Sequence, residues 1–240
     1  MASRGWRWSC WTAGLALLIG TQPPASGQEP CALPRVGEPL DQKPLLRSPA
    51  VPAPQPLLDY RHRLQTTPSG WPTQSTWCVW VEPPETLAPA SPVQSRWQAA
   101  IDGALEEWRR LLPIVIVPEA DRAQVTVWRR RPPLGRDAAG RARASHGRAI
   151  LTLQRRPPGA TPTVEPRVVV LISPDQRLEA IQATALHELG HAFGLWGHSE
   201  DPADAMAIAP GARPIQRLSE RDRATVRWLY QQATPMRSDP

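Results

Sequence analysis

The chain has 240 residues, a formal net charge of +6, three cysteines and 30 prolines. That length holds one or two domains and is enough to bury a core without a disulfide scaffold. The positive charge is carried almost wholly by arginine, with Lys43 the one lysine. No nucleic-acid-binding module accompanies it, so no nucleic-acid partner is expected.

Residues 1–27 read as an export signal. Arg4 and Arg7 form a basic start, Cys10 to Gly20 an apolar centre, and Ala25-Ser26-Gly27 a small-residue cleavage site. The apolar run is short for a membrane span; the alternative is an uncleaved anchor, and only then would a membrane be a partner. Either way the remainder is expected outside the cytoplasm, as an extracellular, periplasmic or cell-surface protein. Cleavage would leave Cys31 and Cys78, an even pair that permits a disulfide without establishing one. Residues 28–65 are Pro-rich and read as a linker or pro-like segment. A folded domain is expected over 66–233, followed by a tail at 234–240.

Within that domain, Trp77, Val79 and Val81 alternate as in a strand. Trp97, Ala100, Ile101, Ala104, Leu105, Trp108, Leu111 and Leu112 recur at helical spacing. Ser95 is the expected N-cap of that helix and Pro113 ends it. Short strands are expected at 114–117, 123–128, 149–154 and 167–173. The stretch from Arg129 to Arg148 has seven arginines and reads as a surface loop, with a possible preference for acidic substrates. A second helix is expected to open at Ser173-Pro174 and to end at Gly194. A third should run from Leu218 to Tyr230, with Ser219 and Asp222 at capping-box spacing.

The second helix carries the chemistry. His187 and His191 are four apart and share one face, so both imidazoles can reach one point. Glu188 lies about 100° around the axis, where it flanks that point and suits a general base acting on a metal-bound water. Gly194 stops the helix so that the chain can return with His198. Three histidines leave a zinc ion its fourth position for water. A non-catalytic zinc-binding domain for adhesion or partner binding is the competing reading, and Glu188 argues against it, since a structural site needs no base.

His187 to His198, "HELGHAFGLWGH", resembles the HExxHxxGxxH signature of the metzincin zinc peptidases, most closely the matrixin branch. Leu218, Ser219, Asp222, Leu229 and Tyr230 match a matrixin-like helix that follows. The resemblance implies a metzincin-like α/β (α+β) fold. Its mostly parallel sheet would have about four to five strands and carry two long helices. The active-site helix would be followed by a methionine turn and a C-terminal helix. It implies one catalytic zinc on His187, His191 and His198, with Glu188 as base and proton shuttle. Met206 would be the turn methionine, a hydrophobic floor under the imidazoles. The implied activity is that of a monomeric zinc metalloendopeptidase acting on protein or peptide. Substrate would lie along a strand edge, either 149–154 or 167–173, and the segment after Met206 would wall the specificity pocket. Calcium is not indicated.

Three departures accompany the resemblance. Gly197 stands at the family's third-ligand position and His198 falls one residue late. This reads as an insertion absorbed by glycine's permissive backbone, the alternative being Asp201 or Asp204 as third ligand. Ala207 and Ile208 replace a usual turn tyrosine. Finally, "PRVGEPLD" (Pro34 to Asp41) is similar to the matrixin latency element but has Val36 in place of its cysteine, with Cys31 nearby as a possible substitute thiol.

Overall fold

The computed structural model describes residues 31, 37–40, 44–49, 58–84, 91–136, 140, 142–143, 145–155, 164–209, 211–232 and 236. The export-signal reading at 1–27 and the tail beyond 236 lie outside them. No described helix is long and apolar enough to cross a membrane.

Three helices pack with one main sheet. The strands of that sheet are β1 (Glu38–Pro39), β2 (Trp77–Val81), β3 (Ile114–Ile116), β4 (Val125–Trp128), β7 (Gly147–Arg155) and β8 (Val164–Ile172). A separate two-stranded hairpin pairs β5 (Gly135–Arg136) with β6 (Ala142–Arg143). The helices are α1 (Pro92–Arg109), α2 (Leu178–Ala192) and α3 (Glu220–Gln232). The sheet order is β1-β7-β8-β4-β2-β3. Strands β3, β2, β4 and β8 run parallel, while β7 is antiparallel to β8. This is an α/β fold with a mostly parallel sheet. Strand β8 lies inside the sheet, whereas β7 has only the short β1 on its outer side. Of the two candidate substrate edges, then, 149–154 is near the rim and 167–173 is not.

The core forms where apolar faces of α1 and α2 meet the sheet. Trp77, Trp97, Trp108, Tyr60 and Phe193 are its largest fully buried side chains. A buried indole N–H needs an acceptor, and each of these three tryptophans finds one. Trp97 donates to Ile172 O at 3.2 Å, Trp108 to Leu186 O at 3.1 Å, and Trp77 to the Tyr230 hydroxyl at 2.7 Å. Tyr230 in turn donates to Phe193 O at 2.9 Å, which ties α3 to the end of α2.

Four expectations require correction. Ser91, not Ser95, caps α1: its hydroxyl accepts from Gln94 N while the Gln94 side chain accepts from Ser91 N. With Pro92 at the first helical position, that capping box starts the helix earlier than expected. Helix α2 starts at Leu178 rather than Pro174, because Ser173 N–H is still bonded to His146 O at 2.8 Å as an extension of the β7–β8 ladder. The Arg-rich stretch contains the β5–β6 hairpin rather than loop alone. The boundary at residue 66 is too late. Tyr60 and Leu64 are fully buried, β1 pairs with β7, and Cys31 forms a disulfide with Cys78. The sixth strand therefore comes from the segment read as linker. The expected Ser219/Asp222 capping box of α3 is present in both directions, at 2.9 and 3.0 Å.

The Cys31–Cys78 bond spans 47 residues, so it removes much conformational freedom from the unfolded chain. The double variant Cys31→Ser/Cys78→Ser should unfold in urea about 2–4 kcal/mol more easily than the oxidised protein. Equal midpoints would show that the bond contributes nothing to stability.

Candidate metal centre

Helix α2 turns Ile181, Ala185 and Leu189 into the core, which leaves His187 and His191 on the side facing the cleft. The helix then ends abruptly. Gly194 has φ +105°, a backbone state that residues with a Cβ rarely adopt. Leu195 N–H bonds to Gly190 O at 2.9 Å and Gly194 N–H to His191 O at 3.0 Å, the two reciprocal bonds of a Schellman cap. The cap also orients a ligand, because His191 Nδ1 lies 2.7 Å from Leu195 O. Nδ1–H must donate to a carbonyl, so Nε2 is left as the acceptor nitrogen.

The chain reverses over Trp196–Gly197. Gln65 N–H donates to Trp196 O at 2.6 Å, and the Trp196 ring stacks on His191 with centroids 5.4 Å apart. Gly197 is required here for space. A Cβ at this position would lie 2.2 Å from Arg63 O, and its φ is not among the positive values, which among the described residues belong to Gly70, Gly140 and Gly194. The expectation of a special glycine backbone at 197 is corrected accordingly.

The reversal returns His198 to its partners. The ring centroids of His198 lie 5.2 Å from His187 and 4.9 Å from His191, and those of His187 and His191 are 4.8 Å apart. One ligand nitrogen from each of the three lies within 4.8 Å of the others, the one such group among the described residues. A tetrahedral zinc shell with bonds of about 2.0–2.1 Å sets its nitrogens about 3.3 Å apart, inside the 4.8 Å that bounds the three here. Asp201 and Asp204 lie outside the group. Asp204 accepts from the Ser199 and Ser219 hydroxyls at 2.5 and 2.6 Å, and Asp201 accepts from Ala203 N–H at 2.9 Å.

Desolvation favours the neutral form of the imidazoles, the form that binds metal. Desolvation holds His187 down at about 4 even though the Ala205 carbonyl pulls the other way. His191 lies well below the ordinary histidine range for the same reason, reinforced by the neighbouring His187 and His198, and His198 is lowered by burial as well. Burial also pushes Glu188 up to about 7, opposed by a hydrogen bond from Ala149 N–H and by the Arg148 charge. Gly147 makes room for this carboxylate: a Cβ there would lie 2.6 Å from Glu188 Cγ.

His187 is held by a chain of bonds that reaches α3 and Tyr60. Its Nδ1 donates to Ala205 O at 2.8 Å. Ala205 N–H donates to Asp222 Oδ2 at 2.8 Å, and the Tyr60 hydroxyl donates to Asp222 Oδ1 at 2.7 Å. Asp222 is fully buried. The sequence reading placed Asp222 in a cap and Tyr60 in a linker, and so missed this support. Met206 is fully buried against α2, its sulfur 2.2 Å from where a Gly190 Cβ would stand. It packs on the helix backbone between the two ligand positions.

Cys31 is spent in the disulfide and has no thiolate to offer the histidines. Two cavities open on His187 and Glu188. One, of about 500 Å³, is walled by Ala183, Thr184, Ile208, Ala212 and Ile215; the other, of about 450 Å³, reaches His191, Trp196 and His198. Ile208, Ala212 and Ile215 of the first come from the segment after Met206.

No protein-family model matches the chain, and no curated protein is a significant match to it.

Two measurements test the centre. The purified protein should bind one zinc, and His198→Ala should weaken binding by about 100-fold or more, with Asp201→Ala near wild type; unchanged affinity in His198→Ala would remove that residue from the shell. Gly190→Ala should lower stability by about 1–3 kcal/mol because its methyl group would displace Met206, which a shift in thermal midpoint would register.

Proposed function

We propose that this protein is an exported zinc-dependent endopeptidase of the metzincin, matrixin-like kind. The observation that carries the proposal is the convergence of three imidazoles beside a half-buried, flanking carboxylate at the mouth of a cleft. A site that only holds metal needs no such carboxylate and fills its fourth position with another ligand.

His187, His191 and His198 would hold the ion. When bound there, zinc supplies Lewis acidity and lowers the pKa of water in its open position. Glu188 takes a proton from the nucleophilic water and delivers it to the leaving amine. Its Ala149 N–H bond and the space left by Gly147 keep the carboxylate aimed across the cleft. Ala207 and Ile208 bring no side-chain donor, so no hydroxyl from the turn assists. Substrate would lie extended along β7, exchanging backbone hydrogen bonds as an added strand. The 500 Å³ cavity beside Glu188, with Ala183, Ile208 and Ile215 in its walls, would take an apolar side chain next to the scissile bond. Export rests on the sequence pattern of residues 1–27.

Glu188→Gln tests the reading most directly. The variant should retain stoichiometric zinc while peptide hydrolysis falls by about 100-fold or more, and a chelator should abolish the wild-type rate. If zinc-loaded wild type cleaves no member of a broad peptide library, the protein is a binding domain instead.

A further inference from the structure

Trp196 stands where the chain is one residue longer than the signature it resembles, between Leu195 and His198. Its indole lies nearly parallel to the His191 imidazole, with 19° between the planes and 5.4 Å between the centroids. The other two imidazoles meet His191 edge-on, His187 at 89° and His198 at 82°. The indole is 9% exposed, and its buried Nε1–H meets no acceptor among the described residues. Trp77, Trp97 and Trp108 each place that N–H on an oxygen. Leaving a buried donor unpaired is costly, so this position makes use of the ring face and not of the N–H.

The stack supplies a restraint that the hydrogen bond to His191 leaves out. The 2.7 Å bond from His191 Nδ1 to Leu195 O fixes one edge of the imidazole. A bond at a single ring atom lets the plane rock about the line from Nδ1 to the oxygen, and Nε2 swings with it. A flat ring against one face opposes that rocking. The indole is itself anchored by its backbone. Trp196 N–H donates to Gly194 O at 2.9 Å, and Trp196 O accepts from Gln65 N–H at 2.6 Å. Beside it, Gly197 is packed so closely on Arg63 O that a Cβ has no room. We propose that Trp196 is a positioning residue for the metal: its ring holds the plane of His191, so that Nε2 stays aimed at the point shared with His187 and His198. The inference rests on the three-histidine reading of the centre and is independent of catalysis. The extra residue that makes His198 late thereby also steadies the ligand that precedes it.

The test uses the full-length protein, zinc alone as the ligand, and the variants Trp196→Phe, Trp196→Leu and Trp196→Ala. Phe keeps a flat ring and sheds the unpaired N–H, Leu keeps apolar volume without a ring face, and Ala keeps neither. Zinc affinity is measured by competition with a chromophoric chelator, and the visible spectrum of the cobalt(II)-loaded proteins reports ligand geometry. Trp196→Phe should stay within about twofold of wild type, while Trp196→Leu and Trp196→Ala should bind zinc about tenfold more weakly and give cobalt spectra of altered shape. Should Trp196→Ala fail to fold, the comparison of Phe with Leu decides. Leu matching Phe in affinity and spectrum would overturn the proposal, because volume and not a ring face would then be what the site needs. Phe falling as far as Leu would overturn it as well. The expected order among the variants, with no peptide cleaved by zinc-loaded wild type, would uphold the role of Trp196 and overturn the peptidase reading.

Discussion

Two imidazoles on one face of a helix define a point in space, but the same helix cannot supply a third from a new direction. It has to stop within a turn of the second ligand, and much of this molecule is arranged around that stop. Gly194 adopts the backbone state that ends α2, and the Schellman cap it allows places Leu195 O on His191 Nδ1. One turn of chain therefore ends the helix, fixes a tautomer and sends the polypeptide back toward His198. The reversal has room only because Gly197 has no side chain against Arg63 O.

The support of His187 follows a similar economy. Asp222 accepts from Ala205 N–H, Ser219 N–H and the Tyr60 hydroxyl, so one buried carboxylate serves a helix cap, a turn and an N-terminal residue at once. A buried charge is tolerated only when its lone pairs are satisfied. Removing any donor would expose the whole set to that penalty. The turn at Ala205, α3 and the segment around Tyr60 are thus joined by polar bonds in addition to apolar packing.

The parts legible in the sequence were those with strong local rules. Helical spacing placed α1 and the two clustered histidines of α2, the glycine at 194 marked the helix end, and the Ser219/Asp222 cap was visible from its spacing. What escaped depended on distant partners. The start of α2 is set by a bond between Ser173 and His146, which no local propensity reports. Residues 28–65 have the composition of a linker, yet Tyr60 and Leu64 find pockets in the core and Glu38–Pro39 find a strand edge. Tertiary pairing there overrides what proline content suggests. The start of α1 was a different kind of miss, since Ser91-Pro92 and Gln94 already spell a capping box.

The Cys31–Cys78 bond changes what a backbone cut would mean. Cleavage anywhere between these two residues leaves both pieces on one covalent framework, with Cys31 attached to β2. The two pieces then meet at an effective concentration on the order of millimolar for a short flexible link. Dilution, which separates an ordinary complex, would leave them together. A cut and loss of the sulfur–sulfur bond are both needed before they part.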